Sequence, residues 1–207
     1  MTAQHVFDIL QSHVPLAALD YCLDLWKASP FELKVTRTRQ TKVGDFTSRR
    51  TRSHPRITLN NDLNRYLFLV TYIHEVAHLH VYLRHGPRED PHGEKWKTTF
   101  TDLMLPILWE TIFPPEILHE LRRHMINPKA SSFADTILTE AFRKFDRNTH
   151  QIILSQVPEG SIFKLQGRYF KKGKLRRTRV LCKELQSKKD YLVPADAVVS
   201  DVQLSLL

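Results

Sequence analysis

The chain has 207 residues, of which 42% are apolar, and carries a formal net charge of +9. This size and apolar content allow a hydrophobic core and predict one domain with an appendage. There is no run of 18 apolar residues and no basic start before an apolar block, so neither a membrane span nor a secretory signal is predicted. The two cysteines, Cys22 and Cys182, lie far apart, which favours a reducing cytoplasm over a disulfide framework.

The first part of the chain predicts one helix, three strands and a second, longer helix. Residues 14–27 form the amphipathic helix, and Ser29 and Pro30 end it. Strands are expected over residues 31–37, 41–46 and 56–59. Residues 63–84 contain no Gly or Pro and predict the long helix, with Asn60 or Asn61 as its N-cap. One apolar stripe of this helix should face a core: Leu67, Val70, Ile73, Ala77 and Val81.

The rest of the chain predicts more helices and then a change of period. A helix opens at residues 93–96 and runs towards Trp109, and another starts at Pro114-Pro115 and ends near Met125. Residues 132–145 form a further helix whose buried stripe should be Phe133, Ile137, Ala141 and Phe145. After residues 158–160 the pattern alternates with period two, and Lys172-Gly173-Lys174 predicts a hairpin turn into a strand over residues 179–185.

A short motif inside the long helix, His74-Glu75-Val76-Ala77-His78, offers the clearest chemistry. One helical turn takes 3.6 residues, so His74 and His78 project from the same face. Two imidazoles placed in this way can bind one zinc ion, and Glu75 can hold a water beside it. The alternative is a helix whose histidines lie on a solvated face.

A catalytic zinc takes three protein ligands and keeps a fourth position for water, so the third ligand is the discriminating residue. His80 projects about 240° around the helix from His74 and points away. His85 lies about 10.5 Å beyond His78 along the axis, too far to share an ion while the helix continues.

His92 and Glu94 are the remaining candidates, because Gly86-Pro87 ends the long helix and lets the chain reverse. His92 lies at a loop-to-helix junction and is favoured, with Glu94 as a carboxylate alternative. Trp96 either lines the cleft or belongs to the core.

The combined pattern resembles the SprT-like zinc metalloproteases, whose HExxH sequence is followed by HGxx(W/F). The matching segments here are residues 74–78 and His92-Gly93-Glu94-Lys95-Trp96. Residues 42–46 and 56–60 also resemble the family's short antiparallel strands ahead of the metal helix. The resemblance covers the chain from about residue 15 to 110.

This resemblance implies an α+β fold with a zincin-like metalloprotease core of helices and a small antiparallel sheet over residues 1–150. It also implies that His74, His78 and His92 bind the zinc and that Glu75 is the catalytic base. Residues 158–207 would form a small basic β-rich appendage. Many family members carry a zinc ribbon with two CxxC pairs there, but this region has only Cys182. A second zinc is therefore not expected, and a degenerate ribbon would depend on apolar packing.

Positive charge is concentrated in two segments: residues 164–189 carry +10 and residues 37–56 carry +6, so the rest of the chain carries −7. Basic side chains interleaved with Tyr169 and Phe170 fit the backbone and bases of a nucleic acid. The candidate contacts are Lys171, Lys172, Lys174, Arg176, Arg177 and Arg179. Eukaryotic members of the resembled family digest proteins crosslinked to DNA, which favours the same partner. The alternative is a solvated basic face.

Together these observations predict a cytoplasmic zinc metalloendopeptidase with one Zn²⁺ per chain, acting on protein substrates near or on DNA. The alternative is a nucleic-acid-binding protein whose zinc site is structural or vestigial. A third possibility is an enzyme that hydrolyses a bond other than a peptide bond at the same metal.

Overall fold

The computed structural model describes residues 1–39, 42–48, 54–129, 135–146 and 152–203. The chain divides into two compact units, residues 1–147 and 148–207. The first, the N-terminal unit, combines helices with a three-stranded sheet, and the second, the C-terminal unit, contains a six-stranded sheet. The α+β class predicted from the sequence is confirmed.

Two helices rather than one precede the first strand. Helix α1 spans Ala3–His13, a 3-10 turn follows at Leu16–Ala18, and α2 spans Leu19–Ala28. The prediction of a single helix over residues 14–27 is therefore wrong in its first part. Val14 is the C-cap of α1, and Pro15 cannot donate the N–H that a continuous helix would need.

The sheet of the N-terminal unit consists of β1 (Glu32–Thr36), β2 (Gly44–Thr47) and β3 (Arg56–Asn60), in the order β1-β3-β2. β2 is antiparallel to β3, as expected, but β1 is parallel to β3, which corrects the expectation of an antiparallel sheet. The reason is that β3 returns between the first two strands instead of beside β2 alone. Residue 41, placed in the second strand by the sequence, lies outside the described residues.

The long helix, α3, spans Arg65–His85. Its N-cap is Asn64, whose side-chain oxygen accepts hydrogen bonds from the N–H groups of Tyr66 and Leu67. Asn60 instead ends β3, so the prediction of Asn60 or Asn61 as the cap is wrong. α3 is also buried on more than the predicted stripe, because Phe68, Leu69, Tyr72, Val76 and Leu79 are buried as well.

Three helices follow α3 in the N-terminal unit: α4 (Glu94–Met104), α5 (Pro115–His124) and α6 (Thr136–Arg143). The helix predicted over residues 132–145 is shorter, because the side chain of Asp135 caps it at Leu138 N–H. Phe133 lies outside the described residues, and Ile137 is exposed. The buried face of α6 is formed by Leu138, Thr139, Ala141 and Phe142 rather than by the predicted stripe.

The C-terminal unit is an antiparallel sheet in the order β4-β9-β5-β6-β7-β8. Its strands are β4 (Ile152–Ile153), β5 (Ile162–Leu165), β6 (Arg168–Arg176), β7 (Arg179–Glu184), β8 (Asp190–Pro194) and β9 (Val198–Gln203). A separate apolar core holds it together: Leu154, Val157, Phe163, Phe170, Val180, Cys182, Val193 and Val199.

The hairpin turn predicted at Lys172-Gly173-Lys174 is wrong, because β6 continues through these residues. The chain turns after Arg176, and Arg177 adopts a positive φ of 51° there. Gly173 lies at an irregularity of the β6–β7 pairing, where a Cβ would come within 2.7 Å of the Leu181 carbonyl oxygen. Glycine is needed for this close approach of two backbones rather than for a turn.

Among the described residues, no helix is long and apolar enough to cross a membrane.

Candidate metal centre

Three imidazoles converge at one point beside α3. The Nε2 atom of His78 lies 3.1 Å from that of His74 and 3.1 Å from that of His92, and the His74 and His92 atoms are 3.3 Å apart. His74 and His78 come from successive turns of α3, and His92 comes from the loop before α4. The sequence-predicted trio is thus brought together in the structure and could hold a metal ion.

Hydrogen bonding alone does not account for this triangle. Each Nε2 carries either one hydrogen or one lone pair, so it can take part in only one such bond, whereas every one of the three atoms has two close neighbours. Three nitrogens at about 2.0–2.1 Å from a tetrahedral zinc lie about 3.3 Å apart. The observed separations therefore fit one face of a tetrahedral metal site.

The surroundings keep these histidines neutral, which is the form that binds metals. Burial, reinforced by the neighbouring His78 and His92, lowers the pKa of His74 to about 2. Burial and His92 lower the pKa of His78 to about 4, and burial also lowers the pKa of His92. Protons therefore do not compete for the three nitrogens near neutral pH.

The loop between α3 and α4 places the third histidine. α3 ends at Gly86, whose φ of +83° is readily adopted by glycine. The chain then turns at residues 90–93, where the N–H of His92 donates to the side chain of Asp90 (3.2 Å) and the N–H of Gly93 donates to the Asp90 carbonyl. This turn directs His92 back towards α3.

The other histidines and the acid considered as third ligands lie elsewhere. His85 is exposed at the end of α3, and Glu94 is exposed and forms an ion pair with Lys97. His80 is half-buried, and among the described residues its Nε2 atom has no hydrogen-bond partner. None of the three belongs to the triangle.

Trp96 combines the two roles that the sequence left open. Its side chain is fully buried, so it is a core residue. Its ring also contacts His74, His78 and His92, with centroid distances of 4.6, 5.4 and 4.8 Å.

Glu75, the residue between the two helical ligands, points towards strand β2. It is buried, and this burial, reinforced by Asp45, raises the pKa of Glu75 to about 8. A hydrogen bond from the Phe46 N–H and the charges of Arg39 and Lys42 act in the opposite direction. A carboxyl group with a pKa near neutrality is suited to accept and return a proton.

Two residues of this environment were not singled out in the sequence. A Cβ at Gly44 would lie 2.5 Å from Oε1 of Glu75, so the carboxylate occupies space that only glycine leaves open. Phe46 supplies the N–H to Glu75, and its ring packs on Tyr82 at 5.8 Å. The available signal was a glycine inside a predicted strand, which often marks a close approach.

The six basic residues predicted to contact nucleic acid do not form one surface. Lys171, Lys174, Arg176, Arg177 and Arg179 are exposed on β6, β7 and the turn between them. Lys172 is buried, and its ammonium group donates to the carbonyl oxygens of residues 154, 155 and 157. Lys172 therefore stabilises the C-terminal unit and does not contribute charge to its surface.

The hairpin of β6 and β7 places like charges opposite each other. Lys171 is paired in register with Lys183, and Arg176 with Arg179. Like charges directly opposite on neighbouring strands destabilise a sheet. An anionic partner bound across these pairs would remove that repulsion.

Comparison with known proteins identifies the family. The SprT-like family matches residues 21–112, a segment that contains β1–β3, α3, the three converging histidines and α4. The chain belongs to the SprT-like family. No curated protein and no solved structure matches it.

Proposed function

We propose that this protein is a zinc-dependent metallopeptidase that hydrolyses peptide bonds of protein substrates, with a zincin-like core in its N-terminal unit. The observation that carries the proposal is the triangle of Nε2 atoms of His74, His78 and His92, 3.1–3.3 Å apart, with Glu75 next in sequence to a ligand. Three neutral imidazoles are the donor set of a catalytic zinc that keeps one position open.

When bound, the zinc would lower the pKa of a water molecule and polarise the substrate carbonyl. Glu75 takes a proton from the attacking water on its carboxylate and later delivers it to the leaving amine. Burial favours the protonated carboxyl group, which helps Glu75 to accept the first proton. Gly44 and the Phe46 N–H keep the carboxylate at one place beside β2 while this happens.

A peptide is favoured over other hydrolysable substrates by the position of β2. This strand is at the edge of the three-stranded sheet, with β3 on its other side. An extended peptide can add to such an edge through main-chain hydrogen bonds. A chain bound along β2 would have its backbone close to Glu75, which lies against the same strand.

The first test combines metal analysis with Glu75→Gln. The wild-type protein should contain about one zinc per chain, as expected for a three-ligand catalytic site, and should cleave denatured casein. Glu75→Gln should retain the zinc but lose about 10²–10⁴-fold in cleavage rate, the usual contribution of a general base. His78→Gln, the matched control, should lose both zinc and cleavage.

Unchanged cleavage by Glu75→Gln would rule out Glu75 as the base. A protein that binds zinc but cleaves no protein would support the structural or vestigial site instead. A protein that binds no zinc would exclude the metal centre itself.

We also propose that the C-terminal unit binds nucleic acid through the hairpin of β6 and β7, which would bring substrates on or near DNA to the enzyme. The specific support is the two like-charged pairs, Lys171 with Lys183 and Arg176 with Arg179. Tyr169, 40% exposed on the same hairpin, supplies a ring for stacking.

A salt titration of DNA binding tests this second proposal. Replacing Arg176, Arg177 and Arg179 with Gln should flatten the salt dependence by about 0.9 per lost phosphate contact on duplex DNA. Replacing Lys27 and Lys34, which are exposed in the N-terminal unit, should leave the slope unchanged. If the wild-type protein does not bind single- or double-stranded DNA at low salt, the proposal is wrong.

A further inference from the structure

We propose that Trp96 is a positioning residue for the metal ligands: its ring holds the three imidazoles in place and thereby sets the affinity of the site for metal. The inference rests on the proposed zinc site. It assigns a role to a residue that neither binds metal nor reaches solvent.

The first observation is that one side chain contacts all three ligands. Ring centroids are 4.6 Å apart for Trp96 and His74, 4.8 Å for Trp96 and His92, and 5.4 Å for Trp96 and His78. Each distance lies in the range of favourable contacts between aromatic rings. A rotation of any one imidazole away from the common point would therefore change its packing on the indole.

The second observation is that Trp96 is itself held in place. Phe100 stacks on its other side, with centroids 4.9 Å apart and planes 17° apart, and His78 stacks at 29°. His78, Trp96 and Phe100 thus form a continuous stack. Phe100 is 1% exposed and also contacts His74 at 5.7 Å.

The third observation concerns the helices that carry these rings. The indole N–H of Trp96 points at the carbonyl oxygen of His74, 3.5 Å away, so Trp96 also contacts the backbone of α3. Trp96 and Phe100 are four residues apart and lie on one face of α4, just as His74 and His78 lie on one face of α3. The packing of α3 on α4 is therefore also the packing that orients the ligands.

These contacts restrict the imidazoles before a metal arrives. A ligand set that is already oriented loses less conformational freedom on binding and binds more tightly. Groups that orient metal ligands typically contribute about 10–100-fold to metal affinity. A tryptophan that only filled the core would affect stability but not the geometry or affinity of the metal site.

The experiment compares Trp96→Leu, Trp96→Phe and Trp109→Leu in the full-length chain. Trp109 is 60% exposed and serves as the matched loss of a tryptophan outside the site. Co²⁺ is the probe, because its visible absorption reports both the affinity and the geometry of its ligands, and competition with Zn²⁺ gives the zinc affinity.

The expected result is that Trp96→Leu binds Co²⁺ and Zn²⁺ about 10–100-fold more weakly, with altered visible bands. Trp96→Phe keeps a ring in the stack and should recover most of the affinity and the wild-type bands. Trp109→Leu should match the wild-type protein. Wild-type affinity and wild-type bands in a folded Trp96→Leu protein would overturn the proposal.

A second measurement leaves Trp96 in place, because Trp96→Leu empties a buried position and can fail to fold. In the double variant Trp26→Phe/Trp109→Phe, Trp96 is the remaining tryptophan of the three. Addition of Co²⁺ should quench its fluorescence strongly, and Glu75→Gln in the same background should show the same quenching. Unchanged fluorescence at saturating Co²⁺ would overturn the proposal, because the indole would then not contact the ligands.

The two proposals fail in different ways. A wild-type protein that binds no metal removes the zinc site and with it the role of Trp96. A wild-type protein that binds metal with Trp96→Leu unchanged removes only the role of Trp96. A protein that shows the expected metal binding but cleaves no substrate keeps the role of Trp96 and removes only the proposed peptidase activity.

Discussion

Gly44→Ala should separate two functions of β2, its packing on α3 and its contact with Glu75. An added Cβ would lie 2.7 Å from Cγ2 of Thr71 and 2.5 Å from Oε1 of Glu75. Atoms of this kind cannot remain that close, so both neighbours are affected. They differ in how they can respond, and this difference gives the expected magnitudes.

Thr71 is β-branched, sits on a buried helix and has a stiff χ1 angle. The contact with its methyl group should therefore lower the free energy of unfolding by about 1–3 kcal/mol, the usual cost of overpacking. The Glu75 carboxylate is the end of a flexible side chain and can move away at little cost in stability. A displacement of about 1 Å is enough to lower the cleavage rate about 10²-fold.

The matched variant is Gly44→Ala combined with Thr71→Ser. Serine keeps the hydroxyl group that donates to the Leu67 carbonyl oxygen at 2.7 Å, and it removes the methyl group that the new Cβ would meet. The double variant should recover most of the stability lost in Gly44→Ala but little of the activity. Urea unfolding measures the stability, and initial rates of casein cleavage with zinc analysis measure the activity.

The argument would be refuted by a Gly44→Ala protein that cleaves casein at the wild-type rate. It would also be refuted if Thr71→Ser restored stability and activity together, because a single packing defect would then explain both losses. Zinc content should stay constant in all variants, since neither position supplies a ligand.

Three further predictions concern stability. Lys172→Met should lower the unfolding free energy of the C-terminal unit by about 1–3 kcal/mol, because buried carbonyl groups lose their donor; hydrogen exchange of β6 measures this, and Lys171→Met, at an exposed neighbour, should have little effect. Asn64→Ala should cost about 1–2 kcal/mol in urea unfolding through loss of the α3 cap, and wild-type stability would contradict the capping role. A hydrogen bond from Arg168 lowers the pKa of Glu184 from 4.5 to about 2, so its stabilisation is complete above about pH 4.5 and is lost as the pH falls towards 2; Glu184→Gln should remove this part of the acid dependence in a calorimetric pH series.

Local patterns predicted the ligands well. His74 and His78 are four residues apart in a segment without Gly or Pro, so helical geometry alone puts them on one face. The Gly86-Pro87 break then left His92 and Glu94 as the candidates for a third ligand. The structure brings His92, and not Glu94, to the other two nitrogens.

Turn and cap positions were less predictable because several residues offered the same signal. Asn60, Asn61 and Asn64 can all cap a helix, and only the end of β3 at Asn60 leaves Asn64 as the cap. Lys172-Gly173-Lys174 has the composition of a turn. Pairing of β6 with β7 through these residues decides otherwise.

The sequence by itself determined the donor set, since the spacing of His74 and His78 is a property of one helix and the following motif supplied His92. Only the tertiary structure decided what surrounds that set. The contact of Gly44 with Glu75 joins a strand to a helix, and the contacts of Trp96 join α4 to three ligands. Such contacts link residues that are distant in the chain, so no periodicity or spacing encodes them, and they arise only when the core is packed.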